Sequence, residues 1–125
     1  MTIDAANNSL QERTKQFALR IVRLTSSLPS SRSERVIGGQ LIRCGTSVGA
    51  NYRAACRARS PAEFRAKLGI AEEEADESIY WMELLIAAEI VPFERLENLI
   101  QEANDILSMV KASIKTSKAN QKGKD

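Results

Sequence analysis

The sequence contains no histidine, two cysteines and only 5% aromatic residues. Histidine titrates near neutral pH, so its absence removes the usual general base and the Ser-His-Asp and Cys-His nucleophile systems. It also removes a common zinc ligand, and the scarcity of aromatic residues argues against a surface that binds single strands by stacking. The sequence therefore predicts a protein that is not an enzyme, with no catalytic residue, no metal and no cofactor.

The two cysteines, Cys44 and Cys56, lie on one predicted helix, where their separation in sequence corresponds to about 18 Å. They cannot pair within the chain, and unpaired thiols are typical of a reducing compartment. No segment approaches the ~18 consecutive apolar residues of a membrane-spanning helix, and the first residues lack the pattern of a secretion signal. We therefore expect a cytoplasmic protein that does not enter a membrane.

Apolar residues recur at helical spacing in four segments, and no segment alternates with the period of a strand. The predicted fold is all-α, with helices at about 10–28, 32–57, 61–90 and 92–115. These form one bundle over residues 10–116, between a flexible lead at 1–9 and a disordered lysine-rich tail at 117–125. Because the connections are short, consecutive helices should run antiparallel, as an up-down-up-down four-helix bundle.

Two capping patterns mark the starts of the middle helices. Ser31 and Glu34 have the spacing of a capping box before the second helix. Before the third helix, Ser60 and Glu63 have the same spacing, and Pro61 occupies the first helical position, where a missing N–H is not needed. These patterns predict that the second and third helices begin near residues 32 and 61.

Charge is distributed unevenly along the chain, although the net charge is only +2. Residues 1–67 carry twelve basic and four acidic side chains, whereas residues 68–110 carry one and eleven. On a helical projection, five arginines of the second helix fall within about 80°, opposite its apolar stripe. This arginine ridge, a candidate nucleic-acid-binding surface, consists of Arg32, Arg35, Arg43, Arg53 and Arg57. The alternative is a solvated face, or one paired with acidic residues such as Glu74 and Glu77 of the third helix.

A strip of small residues separates the arginine ridge from the apolar stripe of the second helix and includes Gly38, Ile42, Gly45 and Gly49. Glycine inside a helix costs about 0.5–1 kcal/mol relative to alanine, so several together indicate close approach of another backbone. The partner is either a helix of the same bundle or a helix of a second subunit. The third helix has a second apolar edge that contains Trp81, which favours the second alternative. We therefore predict a homo-oligomer interface containing this strip and Trp81.

Three segments resemble a known protein family: residues 40–55, 60–71 and 74–85. The first contains Arg-Cys-Gly-Thr-Ser-Val-Gly-Ala-Asn-Tyr-Arg, and the third contains Glu-Ala-Asp-Glu followed by Tyr-Trp. Over roughly residues 12–116 the chain is similar to the 23S rRNA intervening sequence protein family, whose members are four-helix bundle proteins.

The resemblance implies a left-handed bundle that assembles as a ring-like homopentamer without assigned enzymatic activity. It also relates the chain to the accessory variability determinant of diversity-generating retroelements, which binds nucleic acid and its reverse transcriptase through a basic surface. We therefore expect a non-catalytic oligomeric bundle that binds rRNA or DNA backbone through the arginine ridge and the lysine-rich tail. The alternative is an interaction scaffold or accessory subunit that docks a protein partner such as a reverse transcriptase.

Overall fold

The structure, a computed structural model, describes the backbone of residues 3–122 and the side chains of residues 9–122. The described residues contain no β-strand, which confirms the prediction of an all-α fold with four helices. No helix in this part of the chain is long and apolar enough to cross a membrane. The helices are α1 (Ile3–Ser26), α2 (Arg32–Cys56), α3 (Pro61–Ala87) and α4 (Phe93–Lys122).

The outer ends of α1 and α4 differ from the sequence prediction. The predicted flexible lead at 1–9 is helical from Ile3 onward, and the predicted disordered tail at 117–125 is helical as far as Lys122. Neither segment contains proline, and the first glycine in either is Gly123, so no residue before it breaks the helix. Positions 1–2 and 123–125 of these two predictions lie outside the described residues.

The junction between α2 and α3 forms the serine half of the predicted capping box, while the Glu63 side chain bonds the N–H one residue before the N-cap. The Ser60 hydroxyl accepts a hydrogen bond from the Glu63 backbone N–H at 3.1 Å, and the Glu63 carboxylate accepts one from the Arg59 backbone N–H at 3.1 Å. Pro61 is the first residue of α3. The capping box predicted at Ser31 is wrong, because the Ser31 side chain makes no cap hydrogen bond, although α2 begins directly after it.

A residue with left-handed backbone ends the turn that follows α3. Glu89 has φ 59°, and the N–H groups of Ile90 and Val91 both donate to the Leu85 carbonyl, at 3.0 and 3.3 Å. This is the hydrogen-bond pattern of a helix C-cap whose left-handed position is usually glycine. The left-handed conformation costs a residue other than glycine roughly 1–2 kcal/mol, so the turn is formed at the expense of backbone strain at Glu89.

The core lies between the helices and is built from one apolar stripe of each. Phe17, Ile21, Leu68, Met82 and Ile106 are among its fully buried side chains. α2 packs between α1 and α3, and α4 packs against α3 and more lightly against α1. The predicted stripe of α2 is half-buried at Ile37 and buried at Leu41, Cys44, Val48, Tyr52 and Ala55. α1 and α3 cover two sides of α2, so only the remaining faces of α2 are available to contact a ligand.

Candidate functional site

The structure places the five arginines of the ridge in different environments. Arg43 is ion-paired with α3, and Arg35 donates from Nε to the Ser30 carbonyl at 2.9 Å. Arg32, Arg53 and Arg57 are exposed, and none has an ion pair or hydrogen bond to another side chain within residues 9–122. The ridge is therefore one row of positions on α2, but only part of it can contact a ligand without first breaking a contact within the protein.

Arg43 joins α2 to α3 through two carboxylates. Its Nη1 lies 3.1 Å from Glu74 Oε2, and its Nη2 lies 2.7 Å from Glu77 Oε1. Trp81 Nε1 also donates to Glu77 Oε1, at 3.3 Å, and Gln40 Oε1 accepts from Arg43 Nε at 3.3 Å. The alternative drawn from the sequence, a ridge arginine paired with Glu74 and Glu77, therefore applies to Arg43.

The charges of this Arg43 cluster make it a poor phosphate site. One guanidinium and two carboxylates give a net charge of −1, and the Glu74 side chain is only 15% exposed. The hydrogen bond from Arg43 holds the pKa of Glu77 below its ordinary range, and the same bond raises the pKa of Arg43. Both groups therefore stay charged at neutral pH and remain paired. We correct the sequence prediction accordingly and remove Arg43 from the candidate nucleic-acid-binding residues.

An open groove of about 630 Å³ lies between α1 and the C-terminal half of α2. It is lined by three cationic side chains, Lys15, Arg53 and Arg57, and by one acidic side chain, Glu12. Glu12 accepts a hydrogen bond from the Gln16 amide at 2.9 Å. The other lining residues among the described side chains are small or polar, and none of them is a large apolar side chain. The net charge of these described lining residues favours an anionic ligand.

The chemistry of the groove suits phosphate groups. An arginine guanidinium binds phosphate in a bidentate manner, whereas a lysine ammonium acts as a point charge. None of Lys15, Arg53 and Arg57 has an ion-pair partner among the described side chains, so a phosphate does not have to displace a carboxylate. Because the groove is open and no described residue on its wall is aromatic, it fits a sugar-phosphate backbone better than a stacked base.

The glycine strip of α2 is packed against residues of the same chain. The atoms closest to a Cβ added at these positions are Ile21 Cγ1 at 2.9 Å for Gly45, Thr14 Oγ1 at 3.2 Å for Gly49 and Leu28 Cδ1 at 3.3 Å for Gly38. Ile21 and Thr14 belong to α1, and Leu28 follows it directly. The close approach that the glycines allow is therefore made by α1, and the prediction that these three positions form a subunit interface is wrong.

The second apolar edge of α3 remains partly uncovered by the chain. Ile70 is 38% exposed and Tyr80, about 15 Å away along the helix, is 57% exposed, and Trp81 and Leu84 are half-buried near Tyr80. The rings of Tyr80 and Trp81 meet edge to face with centroids 5.1 Å apart. We call Ile70, Tyr80, Trp81 and Leu84 the α3 outer face. Ile42, the other predicted interface residue, lies apart from it, half-buried in a shallow groove between α2 and the end of α1.

The buried thiol of Cys44 is a packing group. The Ser78 hydroxyl lies within hydrogen-bond distance of both Cys44 Sγ, at 3.3 Å, and the Glu74 carbonyl oxygen, at 2.8 Å, and its single hydrogen is donated to one of them at a time. Burial raises the pKa of Cys44, which disfavours the reactive thiolate. Both cysteines are free thiols. Within the described residues, no three cysteine or carboxylate side chains are grouped so that they could hold a metal ion.

Sequence reasoning did not identify Lys15, which supplies one of the three groove cations. The arginine ridge was defined by spacing along a single helix, and Lys15 belongs to a different one. Lys15 could have been found only by knowing which helix packs beside α2, because Gly49 of α2 packs against Thr14, the residue before Lys15. The sequence gives Tyr80 no role beyond its place in the Tyr-Trp motif. Its exposure depends on which faces of α3 the neighbouring helices cover, and the adjacent residues do not show this.

The groove and the Arg43 cluster lie within a match that covers most of the chain. The model of the family described as 23S rRNA-intervening sequence protein matches residues 6–112. The chain belongs to this family. The matched span contains the core, Lys15, Arg53, Arg57 and the α3 outer face, whereas the last turns of α4 lie beyond it.

A solved structure is similar to this family member over most of both chains. It is the crystal structure of a protein of unknown function from the S23 ribosomal protein family of Bacteroides thetaiotaomicron, which is 39% identical in sequence. The similarity has a TM-score of 0.82 and covers 87% of this chain and 97% of that chain. Nothing among the curated proteins matches the chain. Family and fold are therefore shown by similarity, and the role has to be argued from the groove.

Proposed function

We propose that this member of the 23S rRNA-intervening sequence protein family is a non-catalytic, cytoplasmic protein that binds the phosphate backbone of rRNA or DNA through the α1–α2 groove. The observation that carries the proposal is the arrangement of Lys15, Arg53 and Arg57 around one open groove, each without an ion-pair partner within residues 9–122. Binding through phosphates alone is weakly sequence-selective and depends strongly on salt.

The experiment is a fluorescence anisotropy titration of a labelled RNA hairpin and a DNA duplex at about 50 and 200 mM salt. Each phosphate contact on a duplex contributes about 0.9 to the slope of log K against log salt, so the three groove contacts contribute about −2.7 to that slope. The variant R53Q/R57Q should reduce the magnitude of that slope by about 1.8. The matched control R20Q/R23Q removes the same charge from α1 outside the groove and should leave the slope unchanged. Lack of binding by the unmodified protein at the lower salt concentration, or equal losses in both variants, contradicts the proposal.

We also propose that the chain forms a homo-oligomer through the α3 outer face, with the pentameric state taken from the family resemblance. The exposure of Tyr80, whose ring meets that of Trp81, supports this, because exposed apolar side chains mark association surfaces, and Ile70 is also exposed about 15 Å away along the same helix. Sedimentation velocity at micromolar concentration tests the proposal. I70E/Y80E should dissociate the assembly, whereas L19E, which places a charge at a 37% exposed position of α1, should not. A stable monomer of the unmodified protein contradicts self-association.

A second candidate function uses the same α3 outer face to dock a different protein, such as a reverse transcriptase. The uncovered Tyr80 favours this alternative as well. Affinity capture from the native host after nuclease treatment distinguishes it from nucleic-acid binding, since a partner held through protein contacts survives the nuclease. Capture that requires intact nucleic acid counts against the docking function.

The order of contacts supports an up-down-up-down arrangement in which consecutive helices run antiparallel. Positions Gly38, Gly45 and Gly49 along α2 meet Leu28, Ile21 and Thr14, which follow in descending order. Between α3 and α4, Arg65 meets Ser117 and Glu72 meets Lys111, again in opposite order. The left-handed turn of the bundle is proposed from the family resemblance. In this arrangement the ends of α2 and α4 lie at the same end of the bundle.

A further inference from the structure

The C-terminal half of α4 has a charge pattern unlike the N-terminal half. Residues 93–107 carry four acidic side chains and one arginine, whereas residues 108–122 carry four lysines and no acidic side chain. Because α4 stays helical to Lys122, the spacing of these lysines places them within about 60° of one another, over a length of about 16 Å. This lysine stripe consists of the exposed residues Lys111, Lys115, Lys118 and Lys122.

We propose that the lysine stripe is a second phosphate-contacting surface, which binds a stretch of nucleic-acid backbone separately from the α1–α2 groove. The inference rests on the proposed nucleic-acid binding and adds a site to it. A loose lysine-rich tail binds without defined geometry, whereas a helix fixes the lysines in one row. Because α4 remains helical to Lys122, the lysines of this segment form a surface with a defined geometry.

The chain itself does little to neutralise the stripe. Lys111 Nζ lies 4.0 Å from Glu72 Oε1, at the limit of an ion pair, and both side chains are substantially exposed. Lys115, Lys118 and Lys122 have no ion pair to any other described side chain. Like charges four positions apart oppose helix formation, and the favourable effect of the helix dipole is confined to the last turn, so it does not account for Lys111 or Lys115. An anion bound along the stripe relieves this repulsion.

The surroundings of the stripe favour nucleic acid over a membrane surface. A helix that lies on a membrane needs a free apolar face beside its basic one, but Val110 and Ile114 of this segment pack into the bundle. Ala112, Thr116 and Ala119, which flank the stripe on the solvent side, are exposed and small or polar. One nucleic-acid strand of a duplex carries a phosphate about every 3.4 Å along the axis, so roughly five phosphates span the length of the stripe.

The stripe and the groove lie at the same end of the bundle but on different helices. Arg65, near the start of α3, donates from Nη1 to Ser117 Oγ at 3.2 Å, and α3 begins directly after the short turn that follows Arg57. A nucleic acid that contacts both surfaces therefore covers this end. Once one surface is bound, the second binds at high effective concentration, so each can be weak alone.

The test is a variant that preserves composition. A112K/K115A/K118A/A119K exchanges two lysines of the stripe with two exposed alanines of the same helix, which turns those charges by roughly 60–100° around α4. Net charge and amino-acid content are unchanged, and alanine and lysine are both good helix formers. At about 100 mM salt, affinity for the labelled RNA hairpin should fall roughly tenfold, and the magnitude of the salt slope should fall by up to about 1.8. Far-ultraviolet circular dichroism should not change.

Every outcome of these binding measurements either supports or contradicts the lysine stripe. Equal binding by the exchanged variant and the unmodified protein overturns the stripe, because a lysine tail without fixed geometry is insensitive to the exchange. If R53Q/R57Q weakens binding while the exchange does not, the groove stands and the stripe fails; if the unmodified protein does not bind RNA at low salt, both fail. Binding to phosphatidylserine vesicles but not to RNA also overturns the stripe. Should the exchange lower helicity, the smaller exchange A112K/K115A, which also preserves net charge and composition, replaces it and must still weaken binding.

Discussion

Substituting Gly45 by alanine adds one methyl group at a position where α2 packs closely against Ile21 of α1. The new Cβ would lie 2.9 Å from Ile21 Cγ1 and 3.0 Å from Ile21 Cγ2, and Ile21 is fully buried. A β-branched side chain in a helix has one strongly preferred χ1 rotamer, so Ile21 cannot turn away and the helices must separate. Overpacking of this kind costs about 1–3 kcal/mol, and the better helix propensity of alanine returns up to ~1 kcal/mol. We expect Gly45→Ala to destabilise the protein by about 1 kcal/mol.

Gly39→Ala is the matched control, because it makes the same chemical change in the same helix. No atom lies within 4 Å of a Cβ added at Gly39, which is exposed. Only the helix-propensity gain then applies, and we expect stabilisation by about 0.5–1 kcal/mol. The free energies of unfolding of the two variants should therefore differ by about 2 kcal/mol, with opposite signs relative to the unmodified protein.

Urea denaturation followed by circular dichroism at several protein concentrations measures both effects. Concentration matters, because the stability of an oligomer depends on it. Gly45→Ala should lower the midpoint at every concentration without changing the oligomeric state, since its neighbour Ile21 belongs to the same chain. In a double-mutant cycle, Ile21→Ala should cost less in the Gly45→Ala background, where the added methyl fills part of the cavity. If Gly45→Ala is as stabilising as Gly39→Ala, the close packing of α1 on α2 is refuted.

Three further predictions concern single groups. Glu89→Gly should raise stability by up to about 1 kcal/mol in thermal unfolding, because glycine adopts the left-handed backbone without strain; a lower melting temperature contradicts this. An aromatic disulfide reagent should modify half-buried Cys56 before buried Cys44, whose raised pKa and burial protect it; simultaneous modification of the native protein contradicts that order. Arg43 lowers the pKa of Glu77 in the folded protein below the value of about 4.3 that it has in the unfolded chain. The stabilisation of the folded state by this pair is therefore complete above the unfolded pKa and is lost as pH falls through the folded pKa. Stability measured across that acidic window should therefore fall more steeply in the unmodified protein than in Glu77→Gln, and parallel profiles argue against the pair.

Features that depend on one helix alone were predictable from the sequence. The apolar stripe containing Leu41 and Val48 is buried because helical periodicity determines which side chains share a face. The start of α3 was predictable because Ser60, Pro61 and Glu63 encode it locally. Both signals act within a few residues, so they do not require knowledge of the neighbouring helices.

Features that depend on which helix lies beside which face were not predictable in the same way. The sequence shows that Gly45 and Arg43 occupy different faces of α2, but it does not show that Ile21 covers the first and Glu77 the second. The interface prediction for the glycines was wrong because a second subunit and α1 call for the same small residues. The helical course of α4 as far as Lys122 was missed because a lysine-rich composition was taken to indicate disorder, although no helix breaker precedes Gly123.

The position of α2 makes nucleic-acid binding and self-association compatible. Gly45 faces α1 and Arg43 reaches α3, so the α1–α2 groove and the α3 outer face are separated by α2 itself. An oligomer assembled through the α3 outer face would leave every groove open. On the proposed function, a groove with three cations would bind weakly on its own, since non-specific contacts of this kind give dissociation constants of roughly 10⁻⁴–10⁻⁶ M. Several grooves in one assembly would raise the overall affinity without any new contact. We therefore expect I70E/Y80E to weaken binding to a long RNA far more than binding to a short hairpin that reaches only one subunit.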